Sequence, residues 1–187
     1  MTDIHTPRLL MRRWSGTDRA PFAELNADPA VMEHLPATLT PSESDALVDR
    51  FEAHFEEHGF GMWALETRDT GELVGFTGLQ VPRFRVTWME DRAQPVVEVG
   101  WRLARAAWGR GYATEAGRAS LDHAFAALAL PEVVSFTTVG NLRSQAVMQR
   151  LGMVRLTGYD HPVAGREPVP SVAYLRTARD VADHRPG

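Results

Sequence analysis

The sequence predicts an α/β fold in which helices flank one central, mostly antiparallel mixed sheet. Two strand-like segments in the first half are joined by a short turn, which is typical of an antiparallel hairpin. In the second half, strand-like and helix-like segments alternate, which favours helices packed on a sheet. The chain has 187 residues, enough for a sizeable hydrophobic core. We therefore expect a single domain over residues 1–187.

The first part of the chain predicts one strand and two helices. Residues 7–14 form the strand, and a helix runs from Gly16 to about residue 27. A second helix begins after Thr40, because threonine, proline and glutamate at positions 40, 41 and 43 make a capping box with proline in the first turn. This helix carries apolar residues on one face and ends at Gly59.

The middle of the chain predicts the hairpin and the strand that follows it. Residues 62–67 and 73–81 are its two strands. Residues 82–95 form a loop, and a loop of this length commonly shapes a binding site. The next strand spans residues 96–103 and leads into a glycine-rich turn.

The remaining segments complete the alternating pattern. A helix with an apolar stripe follows the glycine-rich turn and reaches about residue 128. A strand at residues 133–139 and a helix at residues 142–151 come next. Two short strands near residues 154–159 and 170–176 then finish the predicted sheet.

Composition excludes several kinds of chemistry. Cysteine is absent, so the chain has no disulfide, no thiolate zinc site and no cysteine nucleophile. Lysine is also absent, since all 20 basic residues are arginine, and this excludes a Schiff-base or P-loop lysine. The formal net charge of −4 gives no global electrostatic support for a nucleic-acid partner.

No apolar run approaches the roughly 18 residues that a membrane-spanning helix needs, so we expect no membrane partner. The first residues lack the basic and apolar regions of a signal peptide. A cytoplasmic protein is the resulting expectation.

The glycine-rich turn, Trp-Gly-Arg-Gly-Tyr-Ala-Thr-Glu at residues 108–115, is the strongest functional signal. It lies between a predicted strand and a predicted helix, where free backbone N–H groups and the helix dipole favour a phosphate. Gly109 and Gly111 let the backbone approach such a ligand closely, and Arg110 adds a cation. The same pattern also fits a plain tight turn between a strand and a helix.

Taken with three other motifs, this turn gives the chain a family resemblance. Thr-Pro-Arg-Leu at 6–9, Asp-Pro-x-Val-Met at 28–32, residues 108–116 and Asn-x-x-Ser-x-x-x-Met-x-x-Leu-Gly-Met at 141–153 occur in order. The set resembles the GNAT superfamily of acetyl-CoA-dependent N-acetyltransferases, and within it the branch that acetylates ribosomal-protein N-termini (RimJ/RimL type). The resemblance covers roughly residues 6–177, which would be the core of the domain.

The resemblance implies a GNAT-like fold whose central strands splay apart where pantetheine enters. Strand backbone at 101–103 would pair with pantetheine, and the turn would hold the pyrophosphate. The implied acetyl-CoA-binding residues are Trp101, Arg102, Leu103, Trp108, Gly109, Arg110, Gly111, Tyr112, Ala113, Thr114, Asn141 and Ser144. Asn141 would hydrogen-bond the pantetheine arm, and Ser144 would lie near the thioester sulfur. Both residues also suit a simple helix N-terminus.

The implied reaction is direct acetyl transfer to a primary amine without a metal. The amine must lose a proton before it attacks, and Glu98 is the candidate general base because its strand lies beside the thioester. Glu98 equally fits a solvated strand position. Many family members carry a tyrosine acid where Met148 stands, so that role passes to Ser144, to water or to no residue.

The acceptor stays open between a protein N-terminus and a small amine, and the resemblance allows a homodimer. Aromatic and acidic residues of the 82–95 loop and the 41–58 helix suggest an amphipathic cation. Two other functions remain as alternatives. One is a non-catalytic acetyl-CoA sensor, and the other is a zinc peptidase using His54 and His58 of a His-x-x-Glu-His pattern.

Overall fold

One twisted sheet runs through the computed structural model, which describes residues 3–163 and 165–182. Within these residues the sheet has eight strands in the order β1-β2-β3-β4-β5-β6-β8-β7. The strands are β1 (Ile4–His5), β2 (Leu9–Arg12), β3 (Met62–Thr67), β4 (Leu73–Gln80), β5 (Glu98–Leu103), β6 (Glu132–Thr138), β7 (Val154–His161) and β8 (Val169–Thr177). The α-helices are α1 (Arg19–Ala27), α2 (Pro41–His58), α3 (Tyr112–Asp122), α4 (Leu142–Arg150) and α5 (Ala178–Ala182).

The predicted mixed, mostly antiparallel sheet is confirmed. All described strand pairs are antiparallel except β5 with β6. The start and end of α2 also follow the sequence prediction. The Thr40 hydroxyl accepts from the Glu43 N–H, the Glu43 carboxylate accepts from the Thr40 N–H at 2.8 Å, and Gly59 ends the helix at φ 75°.

Two short elements were not predicted. The strand Ile4–His5 pairs with β2, and the helix Ala178–Ala182 follows β8. Neither is long enough to carry a period-2 or period-3.6 pattern, so neither has a clear sequence signal. The helix after the glycine-rich turn is divided, because a π-helical turn at His123–Ala127 continues α3.

The two faces of the sheet bury different apolar clusters. On one face, Leu103, Ala116 and Leu151 belong to the cluster that packs α3 and α4 onto the strands. On the other, Phe22 of α1 and Phe51 of α2 pack with strand residues such as Phe76, Met62 and Ala64. Because side chains of a strand alternate between faces, even-numbered and odd-numbered residues of β5 pack against different helices.

The parallel pair β5–β6 separates almost as soon as it forms. One residue pair, Glu98 opposite Val134, defines its register, and the Val134 N–H donates to the Val97 carbonyl at 2.9 Å. Beyond that point β5 pairs only with β4, and β6 pairs only with β8. The sheet is therefore split along its middle, with strand backbone facing the gap from both sides.

Within the described residues, no helix is both long enough and apolar enough to span a membrane.

Replacing Gly75 should loosen the strand that carries the site. Gly75 has φ 139°, and a Cβ there would lie 2.1 Å from the Arg102 carbonyl oxygen. We expect Gly75→Ala to lower the free energy of unfolding by about 3 kcal/mol or more. Urea denaturation with a constant m-value measures this change.

The matched control is Gly71→Ala, because Gly71 has φ 72° with open space around its Cβ position. This variant carries the backbone strain alone, which costs about 1 kcal/mol. Equal losses in the two variants would show that the close approach of β4 to β5 contributes nothing.

Candidate active site

The groove side of β5 is built from cross-strand pairs with β4. Gln80 lies opposite Glu98, and Phe76 lies opposite Arg102. Because side chains alternate along a strand, Glu98, Gly100 and Arg102 share the face on which Phe76 packs with α1 and α2. Glycine at position 100 leaves no β5 side chain between the carboxyl and the guanidinium on that face.

Glu98 is buried at the point where β5 and β6 separate. Its side chain retains 7% exposure, and its Oε2 accepts a 2.7 Å hydrogen bond from the Gln80 amide. Burial raises the pKa of Glu98 to about 8, against a smaller lowering by the Gln80 hydrogen bond. The carboxyl is thus poised to exchange a proton near neutral pH, which a solvated strand glutamate would not be.

An aromatic wall lies near Glu98 on the far side of the gap. Its members come from the 82–95 loop and the strands β6 and β7: Phe84, Trp88, Phe136, Tyr159 and His161. The Phe84 and His161 rings are 4.4 Å apart, and the Tyr159 hydroxyl lies 3.2 Å from His161 Nδ1. Burial, and then the charge of Glu98, raises the pKa of Tyr159, so its hydroxyl stays protonated.

The glycine-rich turn exposes backbone donors at the start of α3. Gly109 and Gly111 have φ 74° and 81°, and Gly111 occupies the N-cap without a side-chain cap. The Glu115 N–H makes the first hydrogen bond into the helix, to the Gly111 carbonyl at 3.0 Å. The preceding N–H groups, at residues 112–114, therefore have no helical partner and suit an anion.

A polar clasp holds this turn against the N-terminal strand pair. One Glu115 oxygen accepts from the Thr6 hydroxyl at 2.6 Å and from the Arg8 N–H at 2.9 Å, and the other accepts from Arg8 Nε at 2.7 Å. Arg8 also donates to the Arg110 carbonyl at 2.8 Å. Burial alone would raise the pKa of Glu115, but these hydrogen bonds lower it. Two motifs about a hundred positions apart are thereby joined into one structure.

Two side chains of the predicted acetyl-CoA set, Trp108 and Tyr112, also have a structural role. The Trp108 indole donates to the Leu103 carbonyl at 2.9 Å, and Arg143 stacks 4.4 Å above its ring. Tyr112 is buried in the core and also borders the groove at the helix start. Arg110 is exposed and is not among the groove-lining residues, so a cation beside the phosphate site stays a prediction.

The start of α4 combines a helix cap with the groove wall. Asn141 Oδ1 accepts from the Ser144 N–H at 3.1 Å, as an ordinary N-cap does. Both residues line the groove, and the structure gives the Ser144 hydroxyl no partner among the described residues. Met148 is fully buried, consistent with a packing role for the residue that replaces the family's tyrosine.

These parts surround one groove of about 1950 Å³. Apart from Arg110, every predicted site residue lines it: Glu98, Trp101, Arg102, Leu103, Trp108, Gly109, Gly111, Tyr112, Ala113, Thr114, Asn141 and Ser144. The groove passes from the start of α3, through the split in the sheet, to the α1–α2 face. The free N–H groups at the start of α3, the gap between β5 and β6 and the buried carboxyl of Glu98 thus lie along one path.

The two segments predicted to line the acceptor side both border the groove, but their acidic side chains do not. From α2, the groove is lined by Leu47 and Arg50, and from the 82–95 loop by Pro82, Arg83 and Phe84. The α2 carboxylates Glu52 and Glu56 are instead paired with Arg13. The sequence pattern counted the charges on these segments but could not show which faces they occupy.

His54 does not offer a free metal ligand. Its Nε2 accepts from the Val81 N–H at 3.0 Å, and its Nδ1 lies 2.8 Å from the Phe60 carbonyl. Both ring nitrogens therefore hold loops at the end of α2 in place. No group of three or more histidine, aspartate or glutamate side chains among the described residues could hold a metal ion. The His-x-x-Glu-His pattern is explained by packing.

Comparison with known proteins agrees with this arrangement. A family model for the GNAT acetyltransferase domain matches residues 8–154. The chain belongs to the GNAT acetyltransferase family. It is an acetyl-CoA-dependent acetyltransferase, as the sequence resemblance implied.

Among its relatives, the Bacillus subtilis protein YkkB is 31% identical over 81% of this chain and 85% of its own. An Aspergillus fumigatus FsC-acetyl coenzyme A-N(2)-transacetylase is 30% identical over 88% of this chain and 72% of its own. The fold matches a Bacillus anthracis GNAT acetyltransferase with a TM-score of 0.80, at 22% identity, over 95% of this chain and 99% of that one. A coenzyme A complex of RimL, a ribosomal L7/L12 α-N-protein acetyltransferase, matches with a TM-score of 0.74 at 15% identity, over 94% and 98%.

Three features of the site were missed at the sequence level. Gln80 and the side chain of Arg102 face the groove, and the clasp of Glu115 joins Thr6 and Arg8. A period-2 assignment through residues 98, 100 and 102 would have put Arg102 on the Glu98 face. The contacts of Glu115 with Thr6 and Arg8 form only in the folded protein, so no local sequence pattern predicts them.

The stability of Glu98→Gln should depend on pH differently from that of wild type. The pKa of Glu98 is about 8 in the folded protein and near its ordinary 4.5 when unfolded. Wild-type stability therefore falls as pH rises between these values, because the unfolded chain releases the proton first. We expect the unfolding free energy of Glu98→Gln, minus that of wild type, to increase between about pH 5 and about pH 8.

Denaturation at a series of pH values measures this difference. The control Glu90→Gln alters an exposed carboxylate outside the groove and should show a flat difference. A flat difference for Glu98→Gln as well would mean that the carboxyl is solvated in the folded protein.

Proposed function

We propose that the protein transfers the acetyl group of acetyl-CoA directly to a primary amine, with Glu98 as general base. The observation that carries this proposal is the buried carboxyl with its raised pKa at the split between β5 and β6. An ammonium group must lose a proton before it attacks a carbonyl, and a base with a pKa near the working pH accepts that proton most effectively.

The acetyl-CoA site of the proposal uses backbone more than side chains. The free N–H groups at the start of α3 would hold the pyrophosphate, and the exposed edge of β5 near Trp101 to Leu103 would pair with the pantetheine amides. Asn141 would contribute its amide NH₂, since its oxygen caps α4. Ser144 would lie near the sulfur and could donate to it. Bound acetyl-CoA supplies the acetyl group as a thioester.

Glu98 would act on the acceptor from the α1–α2 face. It takes a proton from the ammonium group, directly or through one water, while the groove walls limit access of bulk solvent. The new C–N bond forms as the C–S bond breaks, and the second proton of the attacking nitrogen passes through Ser144 or water to the released thiolate. No cysteine is present to carry the acetyl group, so the transfer occurs in one displacement.

The names of two relatives support nitrogen as the accepting atom. One is an N(2)-transacetylase, and the other is an α-N-protein acetyltransferase. They differ in acceptor, so they leave a small amine and a protein N-terminus as the two classes to test.

Glu98→Gln should lower turnover by about 100-fold or more at neutral pH, because the amide cannot accept the proton. Its affinity for acetyl-CoA should be nearly unchanged. Thiol release with a panel of amines measures turnover, mass spectrometry identifies the acetylated product, and calorimetry measures affinity. Glu90→Gln is the control, and unchanged turnover in Glu98→Gln would exclude Glu98 as the base.

A second variant distinguishes the ionisation of Glu98 from the ionisation of the acceptor amine in the pH dependence of kcat/KM. Gln80→Leu removes the hydrogen bond that favours ionised Glu98, so the rise of kcat/KM with pH should move to higher pH than in wild type. The acceptor is the same in both proteins, so any displacement belongs to the enzyme. Gln149→Leu, an exposed change on α4 away from the groove, should leave the profile in place.

Gly111→Val should abolish tight acetyl-CoA binding. Valine disfavours the φ of 81° at the helix N-cap, so the turn would rearrange and its N–H groups would no longer converge. Calorimetric titration with CoA should show at least a roughly 100-fold weaker affinity, about 2.7 kcal/mol.

Gly71→Val is the matched control, since Gly71 has φ 72° with open space and lies in the β3–β4 turn. It should lose stability without losing CoA affinity. Normal affinity in a folded Gly111→Val protein would place the pyrophosphate elsewhere.

A further inference from the structure

Arg102 is a half-buried cation without an acidic partner among the described residues. Its Nη1 donates to Asn26 Oδ1 at 2.5 Å, and its guanidinium lies 5.3 Å from the centroid of the Phe76 ring. Among the described residues it forms no ion pair, and it lines the groove. Burial lowers the pKa of Arg102 to about 10, so the group still carries its charge at neutral pH. A buried charge that lacks a counter-ion is costly unless a ligand supplies one.

A hydrogen bond from its Nη1 to Asn26 holds Arg102 on the α1–α2 side of the sheet. Asn26 is fully buried, and its NH₂ donates to the Ser44 hydroxyl at 2.9 Å, which joins α1 to α2 behind the guanidinium. The β5 residues that face α3, such as Val99 and Leu103, belong to the opposite cluster. Arg102 is therefore on the face away from the helix whose start would hold the pyrophosphate.

A second cation lines the same side of the groove. Arg50, on α2, lines the groove and makes no hydrogen bond or ion pair with any described residue. Glu98 is the β5 carboxyl on the same face as Arg102. Because its pKa is raised to about 8, most Glu98 side chains are neutral at pH 7. These two arginines place positive charge on this part of the groove, which would disfavour a simple polycation.

We propose that Arg102 binds a carboxylate of the acceptor, so that the acceptor is a primary amine that also carries a carboxylate group. Glu98 would accept a proton from the amine at one end of this β5 face, and Arg102 would bind the carboxylate at the other end. Gly100 lies between them and has no side chain to block the ligand. Glu98 and Arg102 are four residues apart on β5, so their Cα atoms are separated by about 13 Å. Arg50 would strengthen the field at the carboxylate end. This inference rests on the proposed function, whose acceptor it narrows.

The test compares matched acceptors that differ in one charge. The ω-amino acids from glycine to 6-aminohexanoate are assayed against their carboxamides by thiol release. For the best chain length, wild type should prefer the carboxylate by about 10-fold or more in kcat/KM, as expected for a charge-assisted hydrogen bond. Arg102→Gln should bring that ratio close to one, and Arg102→Lys should restore part of it. Arg155→Gln, an exposed change on β7 away from the groove, should keep the wild-type ratio.

An unreactive probe separates this inference from the proposed function. Hexanoate has the carboxylate but no amine, so its binding, followed by NMR titration, does not depend on acetyl transfer. Hexanoate binding to wild type that is lost in Arg102→Gln supports the carboxylate site even if no amine is acetylated. In that case the proposed acetyl transfer would be wrong while the carboxylate site would stand. Amines acetylated without any carboxylate preference, or a preference that survives in Arg102→Gln, would overturn the inference alone. So would an Arg102→Gln protein that loses CoA affinity, because the guanidinium would then serve the other substrate.

Discussion

The early separation of β5 from β6 is the constraint on which the rest of the site depends. A parallel pair held by one residue register leaves strand edges unpaired in the middle of the sheet. Such edges need hydrogen-bond partners, and a ligand that inserts there can supply them as a missing strand would. The same separation aligns three regions that are distant in sequence: the start of α3, the start of α4 and the base of the gap at Glu98.

The glycine-rich turn can present its N–H groups only because other parts of the chain hold it still. Trp108 is hydrogen-bonded to the end of β5, and Arg8 reaches both Glu115 and the Arg110 carbonyl. Preorganised donors bind an anion without losing entropy at the moment of binding. The family resemblance assigned Trp108 to the ligand, whereas the contacts show the side chains of Trp108, Arg8 and Glu115 supporting the turn. Their substitution would act on acetyl-CoA through the backbone.

Two desolvated ionisable groups of opposite sign, Glu98 and Arg102, occupy one face of β5 without an ion pair between them among the described contacts. Each is held by a neutral amide, Gln80 for the carboxyl and Asn26 for the guanidinium. A fold selected for stability alone would pair such groups or replace them with apolar side chains. Their separation keeps a proton acceptor and an anion receptor available in one groove, and this is the physical basis on which a bifunctional acceptor can be oriented.

The sequence by itself determined the class of fold, the order and approximate bounds of the main elements, and the family. These features follow from local patterns: period-2 alternation, the capping box before α2, the glycines around Arg110, and the ordered motifs. It also supplied Glu98 as a base whose pKa partial burial would raise, although the extent of that rise could not be foreseen, because it depends on packing in the folded protein. Only the tertiary structure decided which arginines face the groove, that the acidic side chains of α2 point elsewhere, and that Glu115 joins the N-terminal residues to the turn. Charge and spacing are properties of the chain, but desolvation and orientation arise only when distant segments pack together.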